Sequence, residues 1–179
     1  MLLKREATLR EKLEQVKELL ENSNSLSAMT EGSKVIIMVV NPKEESKAIN
    51  ELSRTYKGKI LSVSCAEQVI KTANDYGYEQ LRENLESFGE VTLDDFSKRV
   101  KDKIVEEILR VSKTSDIRVV VLHRLGILNG ITRLSPIIEG VAGKLRNPLL
   151  VIYPGKREGH TLTFLNSRHK TSIYRAAII

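Results

Sequence analysis

The amino-acid sequence predicts an α/β fold: a mostly parallel central sheet flanked by helices in a Rossmann-like three-layer sandwich, with an N-terminal amphipathic helix and room for a C-terminal edge hairpin. Three observations carry this prediction. VIIMVV, RVVVL and PLLVIY are short, continuous apolar runs rich in β-branched residues, as expected of strands covered on both faces, and KILSVS reads as a fourth strand. Helical segments with opening signals lie between them, in the rhythm of strand–helix–strand crossovers. The chain of 179 residues, 41% hydrophobic, is long enough for one domain with a real core, so residues 1–179 are expected to form a single α/β domain.

The elements follow in order. Leu9, Leu13, Val16 and Leu20 recur at spacings of four, three and four and draw one apolar stripe on a charged helix. Packing on the domain or on a second copy would each use that stripe, so a homodimer stays open. The Ser- and Asn-rich stretch ENSNSLSAMTEGSK reads as a loop. After VIIMVV, Asn41 is a good N-cap, Pro42 suits the first helical position and Glu44 completes a capping box, opening a helix that buries Ala48, Leu52 and Tyr56. After KILSVS, Ser64 with Glu67 caps a helix carrying Val69, Ile70 and Ala73, which Tyr76, Gly77 and Tyr78 interrupt before Leu81 and Leu85. Thr92 with Asp95 is the signal for a longer helix with Phe96, Val100, Ile104, Ile108 and Val111 on one face. RVVVL ends at Leu122, HRLGILNGITR is a loop, and Ser135 with Pro136 starts a helix bearing Ile137, Val141 and Leu145. PLLVIY then runs into a turn carrying Lys156, Arg157 and His160, and TLTFL and SIYRAAII are compatible with an added hairpin at one edge.

Composition excludes several classes. No run approaches the roughly 20 apolar residues of a membrane span, and the charged N-terminus is unlike a signal peptide, which predicts a cytoplasmic protein. Cys65 is the single cysteine, so neither an internal disulfide framework nor a cysteine-based zinc site is expected. The formal net charge of +6 is unevenly spread: residues 1–143 hold 22 basic and 22 acidic residues, and residues 144–179 hold seven basic residues and one acid, Glu158. Such a segment suits an acidic protein surface or a phosphate backbone, and a solvated basic face accounts for it equally well.

In a parallel sheet every strand-to-helix junction lies at one edge, where open α/β sheets bind ligands. Asn41, Cys65, His123 with Arg124, and the segment Pro154 to His160 are therefore expected to converge there. No GxxxxGK[ST] phosphate loop is present, and no GxGxxG follows a strand, which argues against nucleotide hydrolysis and dinucleotide binding. His123, His160 and His169 show neither HxH nor HExxH spacing, so no metal is predicted, and no cofactor. Cys65 reads as a small buried hydrophobe before it reads as a thiolate at a helix start. The acid pairs Glu44/Glu45, Asp94/Asp95 and Glu106/Glu107 read as caps and solvated faces, and no nucleophile, base and orienting acid can be assembled by spacing.

The stretch from Val119 to Ile179 carries a resemblance. Its apolar strand running into Tyr153, Pro154 and Gly155, then Gly159 before a short strand, and finally YRAAII from Tyr174, resembles the closing segment of the BrxB family of BREX bacteriophage-exclusion systems. Glu158 matches the acid that the family tends to have before the second glycine, whereas Lys156 and Arg157 make this loop more basic. GILNGITR keeps Arg133 of the family's third-strand loop and loses its proline. The resemblance implies a non-enzymatic component of a multiprotein defence system, with a PglZ-type protein of the alkaline-phosphatase superfamily as partner and other BREX components nearby. The candidate partner- or anion-binding residues are Arg124, Arg133, Tyr153, Pro154, Gly155, Lys156, Arg157, Gly159, His160, Tyr174 and Arg175. An adaptor or regulator is the first expectation. A nucleic-acid-binding module using the basic C-terminal segment, with DNA contact weak or indirect, and an anion- or nucleotide-binding enzyme are the alternatives.

Overall fold

The computed structural model describes residues 7–159, 161–165, 170–173 and 175–179. Its main sheet is fully parallel with strand order β2-β3-β4-β1-β7, where β1 is Val35–Val40, β2 Lys59–Ser64, β3 Ile117–His123, β4 Leu149–Glu158 and β7 Ala176–Ile178. The buried strands explain the continuous apolar runs, since successive side chains point to opposite faces and both faces are covered. Val35, Ile37 and Val39 join Val120, Leu122, Leu149 and Val151 in one core. Ile36, Met38 and Val40 join Val119, Val121, Leu150 and Ile152 in the other.

The helices divide between those cores. On the second face lie α1 (Leu9–Glu21), α2 (Ser23–Met29) and α3 (Glu45–Thr55). The capping box that starts α1 is formed by Thr8 and Glu11. Leu13, Val16 and Leu20 are buried against this domain, so the apolar stripe is spent within the chain and not on a second copy. Lys12 Nζ donates to Val39 O at 2.8 Å, tying the helix to the end of β1. The stretch read as a loop contains α2: the Asn22 side chain accepts from Ser25 N at 3.1 Å and Leu26 is fully buried, so a cap and one apolar anchor suffice for a short helix.

The first face carries α4 (Cys65–Tyr76), α5 (Tyr78–Phe88), α6 (Glu90–Ser112) and α7 (Leu134–Val141). Ser64 caps α4 by accepting from Glu67 N, and Gly77, at φ +88°, breaks it where expected. Ile70, predicted to be buried, is 60% exposed, and Val69 alone of the adjacent pair enters the core. The predicted Thr92 cap is not formed. Gly89, at φ +48°, precedes the helix, and the buried Thr92 hydroxyl inside α6 donates to Asn84 O, joining α6 to α5. Leu145 is buried beyond the end of α7.

Two expectations about the C-terminal third are corrected. β4 does not turn at Pro154; it continues to Glu158 and pairs antiparallel with β5 (Thr161–Phe164), which pairs with β6 (Lys170–Thr171). The last segment forms no hairpin with TLTFL. Ala176–Ile178 instead adds β7 to the main sheet beside β1, and Ile179 continues that ladder by exchanging hydrogen bonds with Ile37 and Val39. Among the described residues, no helix is long and apolar enough to cross a membrane.

Candidate functional site at the carboxyl edge

The parallel sheet brings the β1, β2 and β3 junctions to one edge, as the sequence predicts. Asn41 accepts from Lys43 N and opens a 3-10 turn over Pro42–Glu44 before α3. The capping role assigned to Glu44 is not formed. Its neighbour Glu45 is the informative acid: it is 7% exposed, and its Oε1 accepts the backbone N–H of Arg124 at 2.5 Å. Arg124 takes a left-handed conformation, φ +61°, which turns that N–H toward Glu45, while its guanidinium reaches Ser46 Oγ at 3.3 Å and lies 3.8 Å from Glu45 Oε2. In the strand order β4 lies between β1 and β3, so the pair is a clasp bridging across it. Arg124 is thus a structural cation, and Glu45, read from sequence as a solvated helix acid, is its buried counterpart. No sequence signal distinguishes it from Glu44, because both follow the same cap and only the strand order decides which one meets β3.

The two other groups at this junction are muted. Cys65 is fully buried, and burial, reinforced by the Glu45 carboxylate, raises its thiol well above the ordinary range, so it behaves as a hydrophobe. Burial also lowers the pKa of His123, against the opposing pull of Glu45, and its Nδ1 is buried with no hydrogen-bond partner among the described residues. Among the described residues no group of three His, Cys, Asp or Glu side chains could hold a metal ion.

Beyond the edge, β4, β5 and β6 form an antiparallel arm. Tyr153 and Pro154 are buried, and Tyr153 packs edge-to-face on Phe164 with ring centroids 5.5 Å apart. Burial pushes the Tyr153 phenol up to about 12. Gly155 is required where the arm leaves the sheet, because a Cβ there would sit 2.1 Å from Thr163 O. What asks for glycine at this position is close strand-to-strand approach. The turn itself lies at Gly159, φ +62°.

The cations of the arm differ in their engagement. Arg157 donates to Gly159 O at 2.9 Å and to Ile178 O at 2.5 Å, lashing the arm to β7. Lys170 pairs with Glu158 at 2.5 Å and holds that carboxyl below the usual carboxylate range. Arg175 pairs with Glu31 at 3.2 Å, and its carbonyl accepts from Ser33 Oγ. Lys156 is exposed, and its side chain makes no hydrogen bond or ion pair among the described residues. Between the arm and the segment before α7 is a cleft of about 490 Å³, floored by Tyr153, Phe164 and Leu128 and rimmed by Arg133, Lys170 and Asn129. Tertiary structure therefore brings Arg133, Tyr153 and Lys170 together and separates them from Arg124, Arg157 and Arg175, which are spent on internal contacts. His160 and Tyr174, named as candidates from the sequence, and His169 lie outside the described residues.

A fully parallel, helix-sandwiched sheet with a β arm and cleft at its carboxyl edge defines a Rossmann-like α/β protein. The family model described as BREX protein BrxB matches residues 50–179, and the chain belongs to the BrxB family. Membership makes it a component of a BREX defence system. Comparison with curated proteins and with solved structures finds no match.

Proposed function

We propose that this BREX component is a non-enzymatic adaptor or regulator that binds a PglZ-type protein of the alkaline-phosphatase superfamily through the arm formed by β4, β5 and β6. The observation that carries the reading is the arm itself: a buried strand is prolonged past its sheet and pairs antiparallel with β5, which pairs in turn with β6. It presents Lys156, exposed and with no hydrogen bond or ion pair among the described residues, and Arg133 at the rim of the adjoining cleft. Rigid strands that expose few unpaired groups suit a preorganised protein contact, because little entropy remains to be lost on docking. The seven-to-one basic excess of residues 144–179 favours nucleic acid less once the fold is known, since Lys170 and Arg175 are neutralised by Glu158 and Glu31.

The deciding experiment is size exclusion with light scattering on this chain mixed with the PglZ-type protein of the same system, at low and high salt. A complex that survives high salt and is weakened by Lys156→Glu supports the adaptor reading. Separate elution at both salts removes it and directs attention to DNA binding by the basic segment.

A further inference from the structure

The corner where α5 meets α6 carries an apolar surface that the core does not use. Tyr78, Leu81, Leu85 and Phe88 follow at spacings of three, four and three, one stripe of a helix, yet only Leu81 reaches the interior. Tyr78 is 68% exposed and Phe88 64%; Leu85 is also exposed. Gly89 turns the chain at once into α6, and Val91 on its first turn is 74% exposed. The Thr92 hydroxyl bonded to Asn84 O fixes the two helices against each other, so the apolar groups are held on a braced corner.

The charge around this corner is opposite to that of the chain. From Tyr78 to Phe96 there are six acids and one base, Arg82, in a protein whose net charge is +6. Arg82 pairs with Glu79, and Asp95 pairs with Arg99. Glu83, Glu86, Glu90 and Asp94 are exposed and make no ion pair among the described residues. Contiguous exposed apolar groups rimmed by charge of one sign mark a contact surface for a partner of the other sign.

We propose that the α5–α6 corner is a docking surface for a basic amphipathic helix of another protein, its apolar side chains set on Leu85, Phe88 and Val91 and its flanking Lys or Arg over Glu83, Glu86, Glu90 and Asp94. This chain does not itself offer such a helix among its described residues. The stripe of α1 is buried on the sheet, and the basic arm turns its apolar groups, Tyr153 and Leu162, inward. The inference goes beyond the adaptor reading and does not depend on it: the corner and the arm carry opposite charge and lie on separate elements.

The test uses the full chain and a fluorescein-labelled Leu/Lys amphipathic peptide of about 18 residues, five helical turns, followed by anisotropy, with hydrogen exchange to locate it. Saturable binding is expected, weakening with salt, with protection confined to α5 and the first turns of α6. Phe88→Asp and the pair Glu83→Lys, Glu86→Lys should each weaken it by about tenfold or more, while Lys156→Glu on the arm leaves it unchanged. A Leu/Glu peptide should not bind. Phe88 is exposed, so Phe88→Asp should unfold at the parent temperature, and Val91→Asp serves as the second variant. Absence of saturable binding, equal binding by both variants, or protection elsewhere would overturn the proposal. So would a dimer of the free chain that Phe88→Asp dissolves, because a second copy would then be the occupant.

Discussion

The two halves of β4 obey different physics within one strand. From Leu149 to Gly155 every residue is buried, and up to Pro154 the strand is held by parallel pairing to β1 and, over its first residues, to β3, with helices on both faces. From Lys156 to Glu158 every residue is exposed, and the strand is held by antiparallel pairing to β5 on one edge. The first half draws its stability from apolar surface removed from water. The second draws it from backbone hydrogen bonds and from the contacts of Arg157 and Glu158, and of its three side chains Lys156 alone makes no hydrogen bond or ion pair among the described residues. A single strand can thus be core in one half and exposed arm in the other when a glycine marks the boundary.

That contrast can be broken most severely from its buried half. Leu150→Ala leaves a cavity in a fully buried site and is expected to destabilise the chain by about 4 kcal/mol, read as a lowered midpoint in denaturant unfolding. The boundary comes next. Gly155→Ala forces a methyl into Thr163 O and should cost about 3 kcal/mol, with hydrogen exchange rising across β5 more than across β1. Protection lost equally in both strands would mean that arm and sheet are one cooperative unit. Glu45→Ala removes the acceptor of the Arg124 N–H and should cost about 2 kcal/mol, measured by the same unfolding curve. Glu45→Gln retains an acceptor and should recover part of that loss.

A smaller effect is expected on acidification. His123 has its pKa lowered in the folded state from the ordinary value of 6.5, so the unfolded chain binds the proton first. Its contribution is neutral above that value, and stability is lost as pH falls from it through the folded pKa. Replacing His123 with Leu should flatten that part of the stability profile, and an unchanged profile would place the pH dependence elsewhere. Lys156→Glu sits at the end of the scale: an exposed side chain with no hydrogen bond or ion pair among the described residues should leave the unfolding stability within about 0.5 kcal/mol of the parent. Under the adaptor proposal its effect falls on the complex and not on the fold.

The strands and most helices were legible in the sequence because their signals are local. β-branched runs, the stripe of α1 and the Ser64 cap each depend on neighbours a few residues away. The errors share a cause as well. Thr92 looks like a cap and Pro154 looks like a turn by the same local criteria, but Thr92 is claimed by Asn84 on a preceding helix and Pro154 by pairing with Val40. Arg124 and Arg157 look like contact cations until distant acceptors, Glu45 and the carbonyl of Ile178, are brought to them.

By itself, then, the sequence determined the α/β class, the parallel sheet, the edge at which its junctions gather, and the family, since each rests on short-range patterns of polarity and on a stretch of ordered motifs. Tertiary structure decided which cations are free, which acid is buried, where the arm begins and which face of α5 stays uncovered. Those are outcomes of partnership between residues far apart in the chain, and a side chain's type does not encode whether its partner arrives.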